Sequence, residues 1–148
     1  MDAEVRAESS RLEALIGTWR TRGDVLDDDD ESPVGTVDGY DHYEWLGPVF
    51  VVHRIDVQMD DVRVQGLEMI GPYQPDLGAF ATRAYDNEGG EQTATATVDD
   101  DGVWTFRADG AKATLTIAED GRSASAKWVR SDDGKTWRPW MRLRLNRE

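Results

Sequence analysis

Two histidines and one unusually placed glutamate are the residues of this chain that could do chemistry. His42 and His53 are its only histidines, so an enzyme that used imidazole as a base or a metal ligand would have to use one of them. His53 lies in the most apolar stretch of the chain, where every second residue around it is apolar: Val49, Val51, Ile55 and Val57. If that set faces the interior, His53 lies inside the fold, as a hydrogen-bonded lining residue or as a functional group.

Glu68 is the second candidate because it alternates with apolar or small residues, namely Val64, Gly66 and Ile70. A buried carboxylate is strongly destabilising unless it is paired with a cation or hydrogen-bonded. Arg83 on a neighbouring segment and His53 are the expected partners, and either pair would mark the polar end of a ligand site. The opposite assignment, in which Glu68 faces solvent while Leu67 and Met69 face inward, is equally open on the sequence alone.

Aromatic side chains could line the rest of such a site. The chain has six tryptophans, and the residues that could contribute to a lining are Tyr43, Trp45, Tyr85, Trp104, Phe106, Trp128 and Trp140. Several of them must simply be core residues, since large aromatics dominate small cores. The predicted ligand-binding set is His53, Glu68, Arg83, Tyr85, Trp45, Trp104 and Trp128, with no catalytic residue, metal ligand or cofactor expected.

Motifs of the common enzyme classes do not occur in the sequence. It contains no Gly-x-Ser-x-Gly elbow, Walker loop, Gly-x-Gly-x-x-Gly turn or His-Glu-x-x-His helix, which argues against hydrolase, nucleotide-binding and zinc-protease functions. Without cysteine there are no disulfides, thiolate nucleophiles or sulfur-ligated metals. The acidic run from Asp27 to Glu31 lacks the spacing of a calcium-binding loop with its closing glutamate, and we interpret it as a loop.

The charge balance restricts the partners. The formal net charge of −13 repels phosphate backbones and anionic membranes, so neither nucleic acid nor a membrane is an expected partner. The acidic N-terminus has no apolar signal segment, and no apolar run approaches the length of a membrane span. We therefore expect a cytoplasmic protein that binds a small molecule, and a homodimer formed through its sheet faces is an open alternative.

Almost the whole chain shows the alternation of β-strands, preceded by one short helix. The helix is expected to start at Ser9 or Ser10, with Glu13 completing a capping box, and to end at Gly17. Ten strands are predicted, at residues 18–26, 36–46, 49–59, 62–70, 79–85, 91–98, 103–108, 111–118, 123–130 and 136–145. Asp-Gly and Asp-rich turns separate most of them.

Strands spaced this closely leave no room for helical crossovers, so the sheet must be antiparallel. A meander of ten strands has two edges to protect, and closing the first strand onto the last removes both. The prediction is one domain over residues 1–148, an all-β closed up-and-down barrel of about ten strands with a short N-terminal helix. A two-sheet sandwich and a helix-grip fold are the alternatives, and the strand-like alternation of Met141, Leu143 and Leu145 argues against the second.

Several motifs resemble a known family. They are Leu15-x-Gly17-x-Trp19 after a helix, Glu44-Trp45-Leu46-Gly47 before an apolar strand, Gly71 and Tyr73 at a long turn, Asp86 near a glycine pair, and Asp133-Gly134-x-x-Trp137. Together they are similar to the lipocalin-like bacterial proteins of unknown function in the calycin superfamily. The resemblance implies a barrel with a cavity for small apolar ligands. It also implies that Trp19 packs under a basic side chain of the last strand, for which Arg142 and Arg144 are the candidates.

Three functions are compatible with these residues. The leading hypothesis is a noncatalytic barrel that binds a small apolar or amphipathic molecule, with His53, Glu68 and Arg83 as polar anchors. The alternative is a small isomerase or hydrolase that uses His53 and Glu68 as acid and base, which requires the two side chains to lie within about 3 Å or one water of each other. The third is an accessory interaction protein that acts as a homodimer.

Overall fold

The chain folds into a closed antiparallel barrel of ten strands with a helical segment at its N-terminus. The computed structural model describes residues 2–148. The helical segment consists of α1 (Ala3–Ser9) and a 3-10 turn (Ser10–Leu15). The strands are β1 (Gly17–Leu26), β2 (Pro33–Leu46), β3 (Phe50–Met59), β4 (Val62–Gln74), β5 (Ala79–Asp86), β6 (Glu91–Val98), β7 (Val103–Ala108), β8 (Ala111–Ile117), β9 (Ser123–Arg130) and β10 (Arg138–Arg147). Each strand pairs with the next, and β1 pairs with β10. This confirms the predicted up-and-down barrel.

The N-terminal helix begins earlier than the sequence suggested. Asp2 is its N-cap, and its carboxylate accepts hydrogen bonds from the backbone N–H groups of Glu4 and Val5. Ser9 and Ser10 lie at the end of α1 instead, where their hydroxyls donate to carbonyl oxygens of the preceding turn. The predicted capping box at these serines is therefore wrong, because their hydroxyls serve the end of a helix rather than its start.

Three strand boundaries also differ from the prediction. β2 begins at Pro33, whose missing N–H is tolerated at the first position of a strand. β4 continues through Gly71 and Pro72, where a shift of register between Ile70 and Tyr73 replaces the predicted long turn. β10 runs from Arg138 to Arg147, so the strand that closes the barrel starts and ends two residues later than predicted.

The barrel interior is divided between two hydrophobic clusters at opposite ends. The end that carries the helical segment, here called the helix end, is filled by large buried side chains: Leu12, Leu15, Trp19, Val51, Ile70, Phe80, Trp104, Leu115 and Leu145. The opposite end, here called the loop end, carries the turns at residues 27–32, 60–61, 87–90, 109–110 and 131–137. Its interior is more sparsely filled, by Val37, Val57 and Met141 with half-buried neighbours such as Ile55, Val64 and Trp128. The interior is therefore more densely filled at the helix end than at the loop end.

Trp19 closes the helix end together with an arginine of the last strand. Its indole N–H donates to Leu15 O over 2.9 Å, and the guanidinium of Arg147 lies 4.1 Å from the centre of its ring. Arg147 also donates hydrogen bonds to carbonyl oxygens of Ala14, Ile16 and Gly121. The expected contact with a basic residue of β10 is thus present, but Arg142 and Arg144 are the wrong residues, because both are exposed on the outer face of the strand.

The acidic run between β1 and β2 forms a loop, as predicted, and this loop contacts β9 and β10. Asp28 accepts from Arg130 at 3.1 Å and lies 3.5 Å from Arg138, and Glu31 lies 3.6 Å from Lys127. Two of its carboxylates, those of Asp28 and Glu31, are therefore engaged with cations of β9 and β10. Within residues 2–148, no helix has both the length and the apolar character that a membrane span requires.

Candidate functional site

A belt of five polar side chains crosses the inner wall of the barrel between its two clusters. The members are Thr21 on β1, Asp41 on β2, His53 on β3, Glu68 on β4 and Thr82 on β5. Thr21, His53 and Thr82 are buried, and the carboxylates of Asp41 and Glu68 are only 13% and 16% exposed. We call these residues the polar belt.

Strand register explains why the belt forms. His53 and Glu68 are directly opposite each other on β3 and β4, and Tyr43 is directly opposite His53 on β2. Cross-strand partners point to the same face of a sheet, and residues two positions along share that face. Asp41, two residues before Tyr43, therefore reaches His53 diagonally, and Thr82, which is opposite Ile70, is the diagonal neighbour of Glu68.

His53 is held between two carboxylates. Its Nε2 lies 2.6 Å from Asp41 Oδ1 and its Nδ1 lies 2.9 Å from Glu68 Oε1. Asp41 also accepts a hydrogen bond from the hydroxyl of Thr21 through its other oxygen. The aromatic ring of Tyr43 stacks on the imidazole, with ring centroids 3.9 Å apart and planes inclined by 9°. The imidazole is thus fixed at both edges and on one face.

The protonation of His53 follows from these contacts. Burial by itself lowers the pKa of a histidine, but hydrogen bonds and charges from Asp41 and Glu68 outweigh burial here and raise the pKa of His53 to about 9. Burial and the same two carboxylates raise the pKa of Tyr43 well above its usual value. At neutral pH the belt therefore contains an imidazolium, which is stacked on the neutral phenol of Tyr43.

A cleft of about 320 Å³ opens at the loop end beside the belt. Its lining includes Ile55, Val64, Gly66 and Ala84, and its more polar side is formed by Gln65 of β4, Tyr85 and Asp86 at the end of β5, Gly90 of the turn, and Glu91 and Gln92 at the start of β6. Ile55 lies two residues after His53, Gly66 two residues before Glu68, and Ala84 directly opposite Glu68. The apolar walls of the cleft thus continue along the strands that carry the polar belt.

The structure brings two of the predicted site residues together and separates two others from them. His53 and Glu68 form the centre of the belt, and the sequence alternative in which Glu68 faces solvent does not occur. Arg83 and Tyr85 are exposed and belong to the opposite parity of β5 from Thr82 and Ala84. Arg83 therefore does not pair with Glu68, because an inward Thr82 requires its neighbour to point outward. Tyr85 lies on the rim of the cleft.

The three predicted tryptophans occupy three different environments. Trp104 is fully buried in the cluster at the helix end. Trp45 is half-buried and donates its indole N–H to Glu13 Oε2 over 2.6 Å, which attaches β2 to the helical segment. Trp128 lies at the loop end, where its ring meets that of Trp140 edge to face at 5.7 Å. Trp128 therefore lies at the loop end, while Trp104 borders a second cleft of about 440 Å³ at the helix end. The binding role of all seven residues stays a prediction.

Sequence reasoning missed Asp41, Thr21 and Thr82 as site residues. A signal was present for Asp41, since it shares the parity of Val37, Tyr43 and Trp45 on β2. The same parity argument that selected Glu68 would have selected it. Thr21 shares the parity of Trp19 and Val25, which is the expected inner face of β1. Threonine is common on either face of a strand, so neither Thr21 nor Thr82 stood out as a site residue.

No family model matches the chain, and neither does any curated protein. Several solved structures share its fold. The phycobiliprotein lyase CPES from Guillardia theta aligns with a TM-score of 0.65 and 12% identity, over 100% of this chain and 98% of the lyase. Rv2717c from M. tuberculosis aligns with a TM-score of 0.63 and 15% identity, over 93% of this chain and 97% of that one.

A designed barrel, EF1p2_mFAP2b bound to DFHBI, aligns with a TM-score of 0.51 and 12% identity, over 95% of this chain and 98% of the design. At these identities the likeness shows the fold alone. The chain is similar to calycin-like ten-stranded barrels, and its polar belt and cleft have to be interpreted from their own geometry.

Proposed function

We propose that this protein is a binding barrel for a small apolar or amphipathic molecule, which enters at the loop end and places its polar group on the polar belt. The observation that carries the proposal is the belt itself, a set of fixed polar side chains inside an otherwise apolar interior. Small-molecule sites have this composition, with mainly apolar walls and a few convergent polar groups that orient the ligand.

The division of the interior supports entry from the loop end. Tightly packed side chains and the helical segment occupy the helix end, whereas the inner residues at the loop end are partly exposed. The side chain of His53 is itself 10% exposed although it lies between β2 and β4. A molecule could therefore reach the belt without displacing the core around Trp104.

Structural neighbours show that barrels of this shape can hold a small molecule. One neighbour is a designed barrel solved with DFHBI, and another is described as a fluorescence-activating barrel. Both are less than 25% identical to this chain. They therefore support the idea that a barrel of this fold can accommodate a small molecule, and they say nothing about which ligand this protein binds.

The proposal is tested by native mass spectrometry of freshly purified protein. A bound ligand would add a discrete mass to the protein, and that mass would be lost on denaturation. The matched control is a variant with the inner wall of the cleft filled, Ala84→Leu, which should fold and lose the added mass. Protein without any added mass would then be titrated with apolar fluorophores, and failure of all of them to bind would contradict a binding function.

An acid–base enzyme is the second candidate, because His53 and Glu68 meet the distance that such a pair requires, at 2.9 Å. Two observations make it weaker than the binding function. Both ring nitrogens of His53 are already engaged by carboxylates, and a pKa of about 9 leaves the imidazole protonated at neutral pH, where it cannot act as a base. A pH-rate profile for any hydrolysis or isomerisation that depends on His53 would overturn this ranking.

A further inference from the structure

The number of protons in the polar belt fixes its charge. A carboxylate can only accept a hydrogen bond, so each contact of His53 with Asp41 and Glu68 contains one proton between nitrogen and oxygen. These two protons give the three side chains a net charge of −1, whether both reside on the imidazole or one resides on a carboxyl group. The belt therefore holds one negative charge inside the barrel that none of its own members neutralises.

Two arginines at the loop end are committed to other partners. Arg130 and Arg138 lie on the wall formed by β9 and β10, and both form ion pairs with Asp28 at the rim, at 3.1 and 3.5 Å. Arg138 also lies 3.3 Å from Asp132. Arg83, which the sequence suggested as a partner, is exposed on the outer surface. Within residues 2–148, the hydrogen bonds and ion pairs of Glu68 connect it to His53 and to no arginine or lysine.

Two polar atoms of the belt have no partner among the described residues. Glu68 accepts a hydrogen bond through Oε1 only, which leaves Oε2 free. The hydroxyl of Thr82 is buried, at 4% exposure of the residue, and makes no hydrogen bond. Buried hydroxyls are almost always hydrogen-bonded in folded proteins, and an exception points to a missing partner. Because Thr82 and Glu68 are diagonal neighbours on β5 and β4, one molecule could satisfy both atoms.

We infer that the polar belt recognises a cationic amine, which donates N–H groups to Glu68 Oε2 and Thr82 Oγ1 and neutralises the unbalanced charge. The inference rests on the proposed binding function and names the ligand class of the same site. A protonated amine has several N–H donors and one positive charge, which are the two features that the belt lacks. The rest of the ligand would extend along Ile55, Val64 and Ala84 toward the loop end, so an apolar or aromatic body is expected.

The protein's overall charge favours the same ligand class. With a formal net charge of −13, the protein attracts cations and repels anions over a distance of several ångströms. A carboxylate-bearing ligand such as a fatty acid would meet this repulsion and then a second one at Glu68. The inferred selectivity is therefore for amines over both neutral and acidic molecules of the same shape.

Three probes with a common bicyclic body test the inference: 1-naphthylmethylamine, 1-naphthalenemethanol and 1-naphthoic acid. Their affinities are measured by isothermal titration calorimetry at neutral pH and moderate salt. The amine should bind at least about tenfold more tightly than the alcohol, because a hydrogen bond to a charged group is worth more than a neutral one. The acid should bind more weakly than either.

Two variants of the polar belt and one matched control test whether the preference for the amine arises at Glu68 and Thr82. Glu68→Gln keeps an oxygen for His53 Nδ1 and removes the charge, and it should bring the amine and the alcohol to within about twofold of each other. Glu44→Gln is the matched control, because Glu44 is exposed on the outer face of β2 and its loss changes the net charge equally. Thr82→Val should also weaken the binding of the amine, because it removes the hydroxyl that accepts one of its N–H groups. Circular dichroism and a thermal melt verify that each variant is folded.

The outcomes separate this inference from the function on which it rests. Equal affinities for amine and alcohol, a preference for the acid, or an amine preference that survives in Glu68→Gln would overturn the inference and leave the binding function standing. If Glu44→Gln lost the preference for the amine as fully as Glu68→Gln does, the preference would come from the overall surface charge, and the inference would also be overturned. Failure of all three probes to bind the wild-type protein would contradict both proposals.

Discussion

The rings of Tyr43 and His53 lie parallel inside the barrel, with centroids 3.9 Å apart and planes inclined by 9°. Stacking covers one face of an imidazole whose two nitrogens are held by Asp41 and Glu68. The favourable cation–π contact and both hydrogen bonds are formed by groups on adjacent strands. His53 is thus a fixed part of the wall, and the orientation of Glu68 depends on it.

Replacing His53 should therefore destabilise the protein strongly. In His53→Gln, both N–H donors of the amide are on one nitrogen and the amide oxygen can only accept. The amide can therefore turn its donors toward one carboxylate only, and the carboxylate at the opposite edge is left buried without a donor. Removing one member of a buried ion pair destabilises proteins by about 3–5 kcal/mol, and we expect a loss of this size in urea denaturation at neutral pH. The matched control is His42→Gln, because His42 bonds only to the hydroxyl of Thr18 on the outer face. That change should destabilise by about 1 kcal/mol or less, and equal losses would contradict the role given to His53.

Stability should also fall as the pH rises above neutrality. The pKa of His53 is about 9 in the folded protein, against 6.5 for a free histidine. Between these values the folded protein keeps a proton that the unfolded chain releases, so the stabilisation is complete below about pH 6.5 and is lost as the pH rises through 9. The stabilisation from the raised pKa of His53 amounts to about 3 kcal/mol when it is complete. Urea denaturation between about pH 6 and 10 measures it.

The titration has a direct control and an independent readout. His53→Gln has no group that titrates in this window at position 53, so its stability should change less with pH over the same range. The imidazole nitrogen resonances of wild-type protein should titrate near pH 9 for His53. A titration of His53 near 6.5 would mean that the two carboxylates do not hold the proton in solution.

Alternation along the strands was enough to predict most of the fold and to select two of the five residues of the polar belt. The spacing of strands and Asp-Gly turns predicted the closed barrel, because period-two patterns and turn chemistry are local properties of the sequence. The same alternation set His53 and Glu68 among apolar residues and so made both of them candidates for the interior. It could not choose between the two parities of β4, since Leu67 and Met69 form an equally apolar set, and only the burial of the other strands decides that choice.

Contacts between particular residues on neighbouring strands could not be predicted, because they depend on the register in which the strands pair. Trp19 meets Arg147 since β1 and β10 pair these two residues, whereas the candidates named from the sequence were Arg142 and Arg144. Likewise, the diagonal contact from Asp41 to His53 requires the β2–β3 register, which the turn at Gly47 sets. Arg83 was misplaced for the complementary reason, because its partner on β4 is Met69 rather than Glu68.

Arg147 should be the most sensitive arginine of β10. It covers Trp19 at 4.1 Å and binds backbone carbonyls of the helical segment and of the β8–β9 turn. We expect Arg147→Met to destabilise by about 2–3 kcal/mol, because it removes the cation–π contact and leaves carbonyl groups unpaired. Arg144→Met is the matched control on the exposed face of the same strand, where a change within about 0.5 kcal/mol is expected. Thermal denaturation of the two variants measures the difference, and equal melting temperatures would contradict the closing role of Arg147.

Gly39 should tolerate no side chain, because β2 passes very close to β3 at this residue. A Cβ at Gly39 would lie 2.2 Å from the carbonyl oxygen of Asp56 and 2.5 Å from Cα of Val57, so the backbones would have to separate. Gly39→Ala is expected to destabilise by about 2 kcal/mol or more. Gly66→Ala is the matched control, since its Cβ would meet the movable end of Ile55 at 3.2 Å, and a loss near 1 kcal/mol is expected.

The same substitution should disturb the polar belt. Gly39 lies two residues before Asp41 on the same face of β2, so a shift of β2 away from β3 lengthens the 2.6 Å contact between Asp41 and His53. Weaker contact with this carboxylate lowers the pKa of His53, because less of the unfavourable effect of burial on the imidazolium is then offset by Asp41. Imidazole resonances should therefore titrate at lower pH in Gly39→Ala than in wild-type protein, and Gly66→Ala should titrate closer to wild type. An unchanged titration in a destabilised Gly39→Ala would show that the belt is held by β3 and β4 alone.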